Sequence, residues 1–376
     1  ASYSSVLSIK HSLDSRLVVS SNWYKKLFPN TKISKIHNQK SKFLTTENGF
    51  RFATSVGGSA TGEGGDFLII DDPHNPTQIN SLKMRNRAIE WFEQTFVTRL
   101  NDKNKGAIVL VMQRLHQDDL SAHLQSSGNW EILKIPALAP KNIEYNFGKF
   151  NKLYIEGEVL DKIRETPEFL CNIEQEIGSR NYAAQFLQEP LPANYNLLSQ
   201  NDIHYFEKLP DKFDCFVHSW DTAIKISEKA DYTVGTIWGV VQNRYYLVQM
   251  IRKKLVYSHL KNEIEKQIHK YMPKFVLIED KASGQQIIQD LKLSGFNNIK
   301  AIRPSLDKLT RFASVTYLFE NATVLIPKQS GFNRVLISAI TNFPNSTNDD
   351  IVDSISQFLN FIKLQHGNNL VQIRSL

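Results

Sequence analysis

The chain has 376 residues, 41% of them hydrophobic and 11% aromatic, which excludes wholesale disorder and suggests two cores rather than one. A net charge of +7 and a pI near 9.1 suit a polyanionic partner, and two cysteines, Cys171 and Cys215, exclude a disulfide framework or a cysteine-ligated metal. No apolar run approaches the ~18 residues that span a membrane and no secretory leader is legible, so a reduced, cytoplasmic setting with no membrane partner is expected.

The chain opens at "ASYSSVLSIKHS" without an initiator Met, as a fragment would. "RLVVSS" (16–21) reads as a helix end, and "GFRFATSV" (49–56) and "DFLIID" (66–71) read as strands. Over 80–100, Ile89, Phe92, Phe96 and Leu100 recur at three- and four-residue steps and predict a helix. "GAIVLVMQ" (106–113) is a continuous apolar run suited to a central parallel strand. Residues 136–165 read as irregular and 167–187 as helical. "LQEPLPANYNLLSQND" (187–202), with two prolines, marks a linker, so the boundaries are set at 1–190, a linker 191–212, and 213–376.

The second half opens with three runs that predict an antiparallel meander, "CFVHSWD" (215–221), "TVGTIWGVVQ" (233–242) and "RYYLVQMIRKKL" (244–255). A helix over 257–271, the strand "KFVLIED" (274–280), a helix over 284–294 and a strand over 298–303 follow. A helix over 307–320, the strand "TVLIP" (323–327) and a final helix from about Asp349 complete it. This order, α/β throughout, is that of a ribonuclease-H-like fold.

Acids close two of these strands, Asp221 on one and Glu279 with Asp280 on the other, and "NDDIVDS" (348–354) puts Asp349, Asp350 and Asp353 at a helix start. Each cluster alone is ordinary strand-end or capping chemistry. Three together, each where the fold needs an acid, point to phosphodiester hydrolysis by two Mg²⁺ or Mn²⁺ ions ~4 Å apart. Asp231 divides evenly between a turn residue and a support for the metals. Lys281, followed by Ser283 and Gly284, stands where it would touch the scissile phosphate, with a plain turn as the alternative. Lys308 and Arg311, at i,i+3, read as a solvated basic face or as DNA backbone contacts.

"TGEGGDFLIIDDPH", "LVMQRLHQDDL", "AAQFLQEPLP", "SWDTAIK", "DYTVGTIWG", "VLIEDKASGQQIIQDL" and "NDDIVDSISQFLN" stand in one fixed order along nearly the whole chain. In that order they resemble the large terminase subunit of tailed bacteriophages, the motor and nuclease that packages DNA. The resemblance implies a P-loop ATPase domain followed by a ribonuclease-H-like nuclease domain. It makes Asp71 the Mg²⁺-binding acid of the Walker B strand and Asp72 the neighbour that orients the attacking water. Gln113, Arg114 and His116 fall in the coupling segment. In the nuclease, Asp221, Glu279 and one of Asp349 and Asp350 hold the metals, with Asp353 and Asp280 as alternatives. Double-stranded DNA, a terminase small subunit and a portal protein are the implied partners, in the cytoplasm of a bacterial host carrying the gene as a prophage.

The sequence departs from that pattern in one respect. No GxxxxGK[ST] loop occurs in it, so the ATPase domain is expected to be incomplete and ATP to be turned over only in a longer form. Two other readings remain: an inactive prophage remnant that binds DNA or packaging partners, and a transposase- or resolvase-type enzyme. "TGEGGDFLIIDDPH" argues against the last, which has no use for a Walker B strand.

Overall fold

A computed structural model describes residues 1–192, 196–223, 232–304, 306–346 and 349–373. It divides into two units, Ala1–Pro167 with Arg180–Pro192, and Glu168–Ser179 with Ala193–Leu376. Among the described residues no helix is long and apolar enough to cross a membrane.

In the first unit, helix α1 (Ser5–Ser20) starts where Ser4 accepts a hydrogen bond from Leu7 N–H, and α2 (Asn22–Leu27) where Ser21 accepts from Tyr24 N–H. Strands β1 (Ile33–Asn38), β2 (Lys42–Thr45) and β3 (Phe50–Phe52) form an antiparallel sheet. The strand expected over 49–56 is thus shorter, because after Phe52 the chain leaves this sheet and Ser55 bridges Ser2 instead, with Val56 N–H donating to Ser2 O at 2.8 Å. Strands β4 (Phe67–Asp71) and β5 (Ala107–Val111) pair in parallel. Ala1–Tyr3 lies alongside β4, with Asp71 N–H donating to Ala1 O at 2.8 Å.

The helix expected over 80–100 is three segments: α3 (Leu82–Trp91), a π turn over Phe92–Phe96 and a 3₁₀ turn over Val97–Arg99. The wider turn lets Trp91, Phe92 and Phe96 all reach one core with Leu68 and Ile70 of β4 and with Leu120 and Leu124 of α4 (Leu120–Ser126). On the opposite face of the β4–β5 pair, Phe67, Ile69, Val109 and Val111 are exposed. The stretch 136–165 is not irregular throughout. It contains a hairpin, β6 (Ile143–Phe147) and β7 (Phe150–Tyr154), reversed at Gly148. Most of its residues are solvated, and although Ile143, Tyr145 and Phe147 alternate with polar residues in β6, β7 breaks that alternation. The helical signal of 167–187 is two helices, α5 (Pro167–Ile177) and α6 (Ser179–Gln185), separated by Gly178 at φ 83°.

The second unit is built on a seven-stranded sheet. In chain order its strands are β8 (His204–Phe206), β9 (Cys215–Asp221), β10 (Thr233–Val241), β11 (Arg244–Lys253), β12 (Phe275–Glu279), β13 (Ile299–Ile302) and β14 (Val324–Pro327). Their spatial order is β13-β12-β9-β10-β11-β14-β8. The expected meander β9–β10–β11 is antiparallel, and β12 runs parallel to β9. β8 falls inside the stretch read as a linker, where three residues are too few to show a period, and it pairs with β14. Helices α7 (Tyr257–Tyr271), α8 (Ala282–Leu293), α9 (Lys308–Ala313), α10 (Tyr317–Glu320), α11 (Asn333–Thr341) and α12 (Asp349–Ile373) complete the unit. The single helix expected over 307–320 is α9 and α10, and α11 has no counterpart among the expected elements.

Alternation along the strands decides which helix meets which face. Trp220, Ile237, Val276 and Ile278 pack on Leu260 and Ile264 of α7 and on Ile287 and Leu291 of α8. Val217, Val234, Trp238 and Leu277 face the other way and pack on Ile351, Ile355, Phe358 and Leu359 of α12. Asp221 and Glu279 continue this second row, so the strand ends deliver both acids to the α12 side of the sheet.

Three buried histidines set the acid limit of the fold. His74 Nε2 accepts from Leu120 N–H at 2.9 Å and His116 Nδ1 from Asp118 N–H at 3.0 Å, so both rings are neutral acceptors. Burial lowers His74 and His116 to about 4 and His218 to about 3, from 6.5. The unfolded chain therefore takes up protons that the folded one refuses. Their effect on stability is absent above pH 6.5 and grows by up to about 1.4 kcal/mol per pH unit per histidine as pH falls below it. Urea midpoints should fall steeply from pH 6.5 to about 4, less so in His116→Gln.

Candidate functional site

Asp221 ends β9, Glu279 ends β12, and Asp353 lies on the first turns of α12. Burial raises the Asp221 carboxyl above the ordinary carboxylate range, and the nearby Asp353 and Glu279 carboxylates raise it further. Asp353 is raised too, by burial first, with Glu279 adding to it. Glu279, 3% exposed, has Lys281 Nζ 2.6 Å from its Oε1, but that oxygen has no well-aligned hydrogen bond. The backbone of Glu279 is fixed by its neighbour: a Cβ at Gly284 would lie 1.9 Å from Glu279 O, so only glycine allows α8 to approach the end of β12 this closely.

The cations nearby are committed to acids. Lys308 Nζ is 2.6 Å from Asp353 Oδ2 and 2.8 Å from Asp349 Oδ2, and Arg311 Nη2 is 2.6 Å from Asp353 Oδ1. The solvated basic face is thus corrected: both side chains turn inward to answer a buried carboxylate, which is costly to leave unpaired. Asp350 stands elsewhere, with Arg252 Nε 3.0 Å from its Oδ2, and the Arg252 guanidinium lies 3.6 Å from the centre of the Tyr232 ring. Asp280 is taken by Arg303 at 2.5 Å, which holds its carboxyl below the usual range. The structure therefore groups Asp221, Glu279 and Asp353, turns Asp350 and Asp280 to Arg252 and Arg303, and leaves Asp349 sharing Lys308 with Asp353. Asp231 lies outside the described residues.

Aspartates and a glutamate are hard oxygen donors, suited to Mg²⁺ or Mn²⁺. The crowding of Asp221 with Glu279 and Asp353 is the imbalance a divalent cation relieves. Among the described residues, however, no three acid, histidine or cysteine side chains are close enough together to hold a metal ion. The donor chemistry fits the ions, and occupancy requires the carboxylates to close in and Lys308 to release Asp353.

In the first unit Asp71 ends β4, with His11 Nε2 3.3 Å from its Oδ2. It lines a cleft of about 750 Å³ with Ser8, Arg51, Glu63 and Arg99. Asp72 sits at φ 46°, is raised by burial, and accepts a 3.4 Å hydrogen bond from Gln113 N–H. Arg114 does not reach either acid. Its Nε lies 3.1 and 2.9 Å from the two Asp119 oxygens, and Asp119, fully buried, also accepts from Leu115, His116 and Ala122 N–H. Asp119→Ala removes the α4 cap and strands a charge, so a loss of about 3–5 kcal/mol is expected in a denaturant melt.

Residues missed in the sequence are mainly partners. Arg252 and Arg303 gave no signal beyond their charge. Ser219, Ser354 and Gln357 did give one, being polar residues inside buried apolar runs.

Residues 218–361 match the family described as the terminase RNaseH-like domain. Those residues all lie in the second unit. No protein of the curated set matches. The large terminase of a thermophilic bacteriophage is similar in fold over nearly the whole chain: 13% identity, 93% of this chain and 84% of that one, TM-score 0.54. The same phage protein in complex with ATP-gamma-S gives 13% identity over 90% and 81%, with a TM-score of 0.50. The large terminase nuclease of a second thermophilic phage, G20c, with bound magnesium gives 14% identity over 44% and 97%, with a TM-score of 0.35. The large-terminase resemblance and the α/β fold expected from the motifs are thereby borne out, and the acid group lies within the terminase domain.

Proposed function

We propose that the chain is the part of a phage terminase large subunit that cuts concatemeric viral DNA during packaging, as a metal-dependent endonuclease. The observation that carries this reading is that Asp221 ends β9, Glu279 ends β12 and Asp353 lies on the first turns of α12, all within the residues that match the terminase RNaseH-like domain and near enough for the other two carboxylates to raise Asp221. Bound Mg²⁺ or Mn²⁺ would supply an activated water and stabilise the leaving oxygen. Asp221 and Glu279 would hold the ions, with Asp353 as the third acid in place of the Asp349–Asp350 pair. Lys281, 60% exposed at its side chain, is free to swing from Glu279 to a scissile phosphate. Lys308 and Arg311 would leave Asp353 for the DNA backbone as cations take their place.

The net charge of +7 supports double-stranded DNA as partner, since phosphate contacts supply most nonspecific affinity. The terminase small subunit and the portal protein, the host cytoplasm and a prophage origin belong to the same proposal. Asp71 and Asp72, with Gln113 and Arg114 behind them, would serve Mg²⁺–ATP and translocation once a phosphate-binding loop is supplied. Supercoiled plasmid should be nicked or linearised with Mn²⁺ or Mg²⁺ and protected by EDTA. The pairing of Asp353 with Lys308 and Arg311 favours a second reading, an inactive remnant that binds DNA. A folded preparation that binds plasmid but cuts it with neither metal would establish that reading instead.

A further inference from the structure

Beneath the acid group lies a buried chain of polar side chains with no part in the chemistry above. Trp238 Nε1 donates to Thr236 Oγ1 at 2.8 Å, and Thr236 Oγ1 is 2.8 Å from Ser354 Oγ. Ser354 Oγ donates to Ser219 O at 2.9 Å, Ser219 Oγ donates to Ser354 O at 2.7 Å, and Gln357 Nε2 donates to Ser219 Oγ at 2.9 Å. A hydroxyl has one proton to give, so the Ser354 proton is spent on Ser219 O and the Thr236 proton must go to Ser354. Each hydroxyl then donates to one acceptor, and the direction of the chain is fixed.

Its position follows from strand and helix periods. Thr236, Ser219 and Leu277 are cross-strand partners in one row of β10, β9 and β12. Asp221 and Glu279 stand two residues further along, on the same face of their strands. Asp353 precedes Ser354 directly and Gln357 by one helical turn. Gln357 Nε2 also comes within 3.4 Å of Trp220 O and of Leu277 O, and so touches both acid-bearing strands from the helix that bears the third acid. Apolar packing along α12 resists separation from the sheet but tolerates small sliding and rotation, whereas a directional bond to the Ser219 hydroxyl, with the second amide hydrogen turned to the two carbonyls, does not.

We propose that Gln357, acting with Ser219 and Ser354, is a positioning residue that fixes the depth and rotation of α12, so that Asp353 can join Asp221 and Glu279 around a divalent cation. This rests on the nuclease reading. Loss of a partner bonded directly to a metal ligand typically costs about 10–100-fold in metal affinity, and a support that acts through the seating of the helix is expected at the lower end of that range.

The test measures Mn²⁺ binding by calorimetry without DNA, the Mn²⁺ concentration for half-maximal plasmid cleavage, and the melting temperature. It uses the wild type, Gln357→Leu, Ser219→Ala, Asp221→Ala and a packing control on the same helix, Ile362→Ala. Both network variants should weaken Mn²⁺ binding and raise the half-maximal concentration at least about tenfold. Ile362→Ala should lower the melting temperature and leave both metal readings in place. If the network variants fold and bind Mn²⁺ within about twofold of wild type, the positioning role is overturned while the nuclease reading stands. A wild type that binds Mn²⁺ but does not cut removes the nuclease reading, and weakened binding in Gln357→Leu still supports the positioning role. A wild type that neither binds nor cuts overturns both.

Discussion

Asp221→Ala is expected to lower metal-dependent plasmid cleavage on the order of 10³-fold, since metal-assisted hydrolysis draws several kcal/mol from its ligands and each ~1.4 kcal/mol is tenfold in rate. The same change should leave the melting temperature equal or higher. In the folded protein Asp221 is buried beside two other acids and its ionised form is disfavoured, its carboxyl being raised to about 8, so near pH 7 folding must protonate a group that is ionised in the unfolded chain, and this works against folding. A loss of activity with no loss of stability separates a chemical role from a packing one. The companion acids should rank by position. Asp353→Ala should resemble Asp221→Ala, Asp350→Ala should act less because its partner is Arg252, and the half-exposed Asp349 should act least. Near-normal cutting by Asp221→Ala would sink the nuclease assignment.

Phe358→Ala is expected to cost about 3–5 kcal/mol, the range for removing a buried aromatic side chain from a packed core. Phe358 is fully buried and stacks on Trp238 with ring centres 4.5 Å apart and planes 9° from parallel. It also meets Tyr245 edge-on at 5.6 Å, so α12, β10 and β11 all lose their common contact. Urea unfolding followed by Trp fluorescence reads the change directly. A shift below about 1 kcal/mol would mean that α12 is not packed as described.

The strands that carry Asp221 and Glu279 were legible because a short apolar run that stops at an acid is how a buried strand of an α/β sheet meets the solvent rim. β9 and α7 lie on the expected residues, 215–221 and 257–271. The third acid was not legible, for a reason specific to α12. Residues 350–359 of that helix are all buried, so no polar stripe marks which side meets the sheet. Asp349, Asp350 and Asp353 are equally good at a helix start, and only the sheet's far-sequence partners tell them apart. β8 was lost because three residues show no period, and the β6–β7 hairpin because the alternation of Ile143, Tyr145 and Phe147 with polar residues stops at the turn and is not continued in β7. Arg114 was legible as part of a motif but not in its bonds, because its partner Asp119 lies in the same turn.

The uncovered side of the β4–β5 pair has a practical meaning for anyone purifying the protein. Phe67, Ile69, Val109 and Val111 offer water an aliphatic and aromatic surface on parallel strands, Phe67 and Ile69 from the wall of the cleft that Asp71 lines, a surface that such strands ordinarily hide on both sides. Patches of this kind adhere to one another, and salts excluded from protein surfaces strengthen the adhesion. Such salts should therefore lower the solubility of the chain more than its net charge of +7 alone would suggest.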